Sequence, residues 1–130
     1  MSGNYAFGKT VKSSYGDTIQ RATDALAKEG FGVLTTIDVA ATLKKKLGKD
    51  TKPYVILGAC NPQFAHKALE AEPEIGTLLP CNVVVREQDD GATRVDIMDP
   101  KAVLKLTERP EIAPIAAEVR QKLERVLAAI

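Results

Sequence analysis

Nucleophilic, redox and soft-metal chemistry draw on thiols and imidazoles, and this chain holds its only two cysteines and its only histidine close together, as Cys60, His66 and Cys81. Cys60 immediately precedes Asn61-Pro62, a helix start with Asn as cap and Pro in the first turn. The positive end of that helix favours a thiolate at Cys60, which suits persulfide or sulfur transfer, redox sensing or transient metal binding. The competing reading, and the favoured one, is that Cys60 ends an apolar strand as a core residue, since cysteine is among the most buried residue types. Cys81 opens a later strand, and alternation puts it with Val83 and Val85 while Asn82 and Arg86 face the other way. It therefore reads as core. His66 lies inside the helix next to polar Lys67, off the stripe formed by Phe64, Ala68 and Leu69, and is expected at the solvent border. Three ligands spaced six and fifteen residues apart lack the paired Cys-x-x-Cys of structural zinc sites and a fourth partner, so no metal and no cofactor is expected.

The elements that must hold these residues follow from the periodicity. Residues 5–11 alternate as a strand, and Ser14 with Asp17 opens a helix whose stripe is Tyr15, Ile19, Ala22 and Leu26, stopped at Gly30. A second strand, FGVLTTI, leads to Asp38, the cap of a helix with Val39, Leu43 and Leu47 on one face that ends at Gly48. PYVILGA is a third, nearly all-apolar strand, and the helix from Asn61 runs to about Ala71. After the turn EPEIG, the segments CNVVVREQ and ATRVDIM flank DDG as a hairpin, antiparallel because its turn is too short for a crossover. Asp99-Pro100 repeats the cap-plus-Pro start, and a final helix carries Ile115, Val119, Leu123, Val126, Leu127 and Ile130 on one stripe. The order β-α-β-(α)-β-(α)-β-β-α predicts an α+β fold, an antiparallel sheet with the long helices on one face and the shorter ones at its edges.

Composition narrows the function classes. At 130 residues and 45% hydrophobic, the chain is expected to form one domain over residues 1–130. Eighteen Lys and Arg against 17 Asp and Glu leave a net +1, which offers little field for nucleic acid or an anionic membrane. No apolar run approaches the ~20 residues needed to span a bilayer, and MSGNYAFGKT lacks signal-peptide character, so a cytosolic protein with reduced thiols is expected. The lysines Lys44, Lys45, Lys46, Lys49 and Lys52 are best explained as cations complementing a helix C-terminus. Glu70, Glu72 and Glu74 read as a solvated helix end rather than an acid pair. No nucleophile elbow, P-loop or dinucleotide fingerprint occurs.

The segments EGFGVLTTIDVAATLKKKLG and YVILGACNP, the later LLPCNVVV, and the Asp-Pro after the fifth strand resemble domain-of-unknown-function family 302 over nearly the whole chain. The pairing of Asn61-Pro62 with Leu79-Pro80 is the most specific part. The resemblance implies a TBP-like β-α-β(4)-α antiparallel sheet with extra short helices between strands, and it implies no established activity. It also implies that the two Xaa-Pro steps belong to the family while the cysteines mark a subgroup. Two functions stay open. The first is a non-enzymatic, cytosolic small-ligand-binding or regulatory module, expected as a homodimer, with its cleft bordered by residues 58–62 and 76–82: Cys60, Asn61, Pro62, His66, Leu79, Pro80, Cys81 and Asn82. The second is a thiol protein using Cys60 with Cys81 or His66. Both faces of the third strand are apolar, Val55, Leu57 and Ala59 on one side and Tyr54 and Ile56 on the other, so a second copy is expected to cover the face the long helices leave open.

Overall fold

Local capping sets most of the element boundaries. Ser14 Oγ accepts the Asp17 N–H at 3.1 Å and Asp38 Oδ1 the Ala41 N–H at 2.9 Å, satisfying donors that a helix start leaves free. Gly30 (φ 84°) and Gly48 (φ 66°) take the left-handed backbone that follows the same two helices. The resulting order, in a computed structural model that describes residues 4–130, is β1 (Ala6–Val11), α1 (Tyr15–Lys28), β2 (Gly32–Asp38), α2 (Val39–Leu47), β3 (Tyr54–Cys60) and α3 (Pro62–Ala71). A 3-10 helix (Pro73–Leu78), β4 (Cys81–Glu87), β5 (Thr93–Met98), α4 (Pro100–Leu104), a 3-10 turn (Lys105–Thr107) and α5 (Ile112–Ala129) complete it.

The five strands form one antiparallel sheet in the order β1-β5-β4-β3-β2. With α1 after β1 and α5 after β5, this is a β-α-β(4)-α frame carrying α2, α3 and α4 as additions. The start at Asp99-Pro100 is real, but its helix stops at Leu104 instead of running on into α5. Pro110 explains the break: it has no N–H to continue the ladder, and its ring disfavours the helical backbone at Arg109. The segment EPEIG is likewise not an open turn: after Glu72 its residues Pro73 to Gly76 belong to the 3-10 helix, which buries Ile75.

Register assigns the two faces. Leu57, Val83 and Ile97 stand opposite one another, as do Val55, Val85 and Val95, and Ala59 stands opposite Cys81. All are buried beneath Ala22 and Leu26 of α1 and Val119, Leu123 and Val126 of α5. Each such aliphatic side chain contributes about 1.5–3 kcal/mol on burial. A second, smaller cluster joins Ala68 of α3, Ile75, Leu104 and the first turns of α5 at Ile112 and Ala116. The outer face carries Tyr54, Ile56, Val84, Arg86, Arg94, Asp96 and Met98, none of them fully buried, with Ile37 48% exposed at its β2 side. Among the described residues no helix is long and apolar enough to cross a membrane.

Candidate functional site

Antiparallel pairing of β3 with β4, with Ala59 opposite Cys81, brings the end of one strand and the start of the next to the same end of the sheet. Two segments 20 residues apart in sequence thereby become neighbours. From Cys60 the chain turns into α3 at Asn61, whose Oδ1 accepts the Phe64 N–H at 3.5 Å and whose Nδ2 donates to the Glu29 carbonyl at 3.5 Å. The cap thus ties α3 to the α1–β2 junction, where Phe31 is buried. The return path from α3 to β4 runs through Leu79 and Pro80, which are joined by a cis peptide. Gly58 makes room for it: a Cβ there would lie 3.0 Å from Pro80 Cγ and 2.4 Å from Thr35 Oγ1.

Between these segments and α5 lies a cavity of about 360 Å³. Ala59, Cys60 and Cys81 form the sheet wall, Phe64, Ala65 and Ala68 the α3 wall, Leu79 and Pro80 the return wall, and Ile115 and Val119 the α5 wall. No lining residue carries a charge, and Thr35 and Asn61 are the polar members besides the two thiols. Two further lining residues, Leu34 and Leu69, are 68% and 42% exposed. Apolar surface of this kind, held open to solvent, marks a binding site more often than a packing defect.

Both thiols are free and share this wall: Cys60 is half-buried and Cys81 buried. Burial, and secondarily the neighbouring Cys60, pushes the Cys81 thiol up to about 12. Cys81 is therefore a neutral thiol throughout the physiological range.

Of the residues singled out from sequence, the cavity gathers Cys60, Asn61, Leu79, Pro80 and Cys81. It does not gather Pro62, His66 or Asn82. Pro62 occupies the first turn of α3 and is exposed. His66 is exposed on α3 and pairs with Glu70 one turn on. Asn82 lies on the outer face of the sheet, in a different groove with Tyr54, Arg86 and Arg94. Among the described residues no group of three or more His, Cys, Asp or Glu side chains is placed to hold a metal ion. The lysines of α2 stay at its exposed C-terminal end, where Lys44 pairs with Asp50 at 2.9 Å.

Sequence reasoning did not assign Phe31, Ala65, Ile115 and Val119 to a site. Ile115 and Val119 were legible as buried, because they fall on the apolar stripe of α5. Periodicity reports which face is apolar and not whether the facing space is filled.

Comparison with known proteins agrees with this fold. The family described as "Domain of unknown function DUF302" matches residues 7–130. The crystal structure of an uncharacterized conserved protein DUF302 from Bacillus stearothermophilus superposes with a TM-score of 0.90, at 32% sequence identity, covering 98% of this chain and 98% of that one. No curated protein matches. With nearly its full length matched by the family, and a sheet and helices superposing on those of that crystal structure, the chain belongs to the domain-of-unknown-function family DUF302.

Proposed function

We propose that the protein is a non-enzymatic module that binds a small apolar ligand in the cavity bordered by residues 58–62 and 76–82. One observation carries this: the cavity of about 360 Å³ is walled by uncharged, mostly aliphatic and aromatic side chains and bordered by exposed leucines. Its size falls at the lower end of the roughly 300–1,000 Å³ typical of small-molecule sites. An apolar lining offers water few hydrogen-bond partners, and an alkyl chain replaces weakly held solvent with dispersion contacts. The lining holds no carboxylate and no imidazole to transfer a proton, which favours binding over catalysis. Titration with 1-octanol, followed through the backbone amides, tests the reading.

A second reading makes Cys60 a reacting thiol with Cys81 beside it, and the wall that the two thiols share supports it. On either reading the protein works in the cytosol, where both thiols stay reduced.

We further infer that a second copy of the chain covers the outer face of the sheet. That face combines apolar Ile37, Ile56, Val84 and Met98 with cations at Arg86 and Arg94 and a carboxylate at Asp96, which Arg94 pairs at 3.0 Å. Two-fold pairing sets a patch against itself, so a patch carrying both signs of charge is the kind that can match its own copy. Sedimentation equilibrium at micromolar concentration is expected to give twice the 14.0 kDa chain mass. A single species at 14.0 kDa contradicts the dimer.

A further inference from the structure

The cavity is apolar, but one of its walls is backed by cations. Phe64 lines the cavity, and the Lys67 and Lys122 ammonium groups stand 5.8 Å and 6.0 Å from the centroid of its ring. Lys67 comes from the next turn of α3 and Lys122 from α5, so two separate elements bring positive charge to one place. Among the described residues neither lysine has a carboxylate partner. Two of the nearby acids have other partners. Glu70, one turn beyond Lys67, pairs with His66. Glu29, within electrostatic reach of Lys122, is gripped by Arg125 Nε at 3.0 Å and Nη2 at 2.9 Å. Glu118, one turn before Lys122, makes no ion pair with it.

Stacking over an aromatic ring is a sufficient packing role for a single lysine stem. Two ammonium groups near one ring, neither held in an ion pair, bring more positive charge than packing on that ring requires, with Glu29 acting on Lys122 only from a distance. A molecule whose tail fills an uncharged cavity must leave its polar end outside it, and the two ammonium groups, which stand near Phe64 without lining the cavity, are cations for an anionic end to meet. We propose that the ligand of the cavity is a single-chain amphiphile with an anionic head group, a carboxylate or a phosphate, whose tail lies against Phe64 and whose head is held by Lys67 and Lys122. The proposal rests on the cavity reading of the preceding section and adds the chemical class of the ligand.

Binding of octanoate, octyl phosphate and 1-octanol to the full chain, compared between wild type and the Lys67→Gln/Lys122→Gln double variant, separates the two claims. Two solvent-facing charge contacts together are expected to change affinity by about fivefold to tenfold. The anionic probes should therefore weaken by that factor in the variant, while 1-octanol binds both proteins equally. The anionic probe that loses more identifies the preferred head group. Unchanged anion affinity alongside normal 1-octanol binding overturns the head-group assignment and leaves the apolar site standing. Failure of all three probes to bind wild type overturns both. Should the variant not fold, added sodium chloride provides the same test in wild type: the anions must weaken with salt and 1-octanol must not. Salt-independent anion binding refutes the proposal.

Discussion

Ala65→Phe is expected to abolish ligand binding and leave the protein folded. Ala65 is a half-buried residue of α3 that presents only a methyl group to the cavity, so a phenyl ring at this position projects into empty space rather than into packed atoms. The change in helix propensity costs about 0.5 kcal/mol, within the reach of the added apolar burial. For the ligand the effect is far larger. Each methylene kept out of the cavity forfeits about 0.8 kcal/mol, so displacing four of them weakens an alkyl ligand by more than about a hundredfold. The neighbouring Ala68 is a poorer choice, because it is only 3% exposed and packs against Ile75, Leu104, Ile112 and Ala116. A larger side chain there would overpack the second cluster at a cost of about 1–3 kcal/mol. Calorimetric titration of 1-octanol into folded Ala65→Phe checks the prediction, and wild-type affinity would show that the ligand sits elsewhere.

The second large effect concerns the thiols. At pH 8 a cysteine at its ordinary pKa of 9.0 is ionised to about one part in ten. A thiol pushed up to about 12 holds roughly one thiolate in ten thousand at that pH. Cys81 is also only 7% exposed, whereas Cys60 is half-buried at the cavity wall. Iodoacetamide should therefore modify Cys81 at least about a hundredfold more slowly than an ordinary exposed thiol, so that in the folded protein the label falls on Cys60. The pH dependence has a definite sign. Burial raises the Cys81 pKa of the folded state above its unfolded value of 9.0. The stability this group contributes is therefore complete below pH 9 and declines as pH rises towards about 12. Peptide mass spectrometry after timed alkylation measures the ratio, and equal labelling of both cysteines in the native state would contradict the burial of Cys81.

Signals confined to a few neighbouring residues were legible without the structure. Ser14, Asp38 and Asn61 act as caps, and Gly30 and Gly48 as left-handed stops, because capping depends on two or three adjacent residues. Strict alternation in β4 likewise placed Cys81 with Val83 and Val85 on the inner face. Proximity in sequence misled at His66, which lies two positions after Phe64 in α3 and so faces away from the wall that Phe64 lines. Asn82 failed for the corresponding reason in a strand: next to Cys81, it points to the opposite side of the sheet. The break between α4 and α5 is encoded at Pro110, a single residue to which the periodicity of the α5 stripe is blind. The cavity itself had no sequence signature. Ile115 and Val119 are ordinary stripe residues, and the space beside them depends on how α3 and the Leu79-Pro80 return are set against α5.

An apolar molecule is expected to enter the cavity between these elements. The most direct test is a 1-octanol titration of isotopically labelled protein, reading the chemical shift of every backbone amide. Saturable shifts are expected to concentrate at Ala59, Cys60, Phe64, Ala68, Cys81 and Val119, with the outer-face residues Arg86 and Arg94 unmoved. Shifts confined to the outer face, or no saturable shift at any cavity residue, would contradict that expectation.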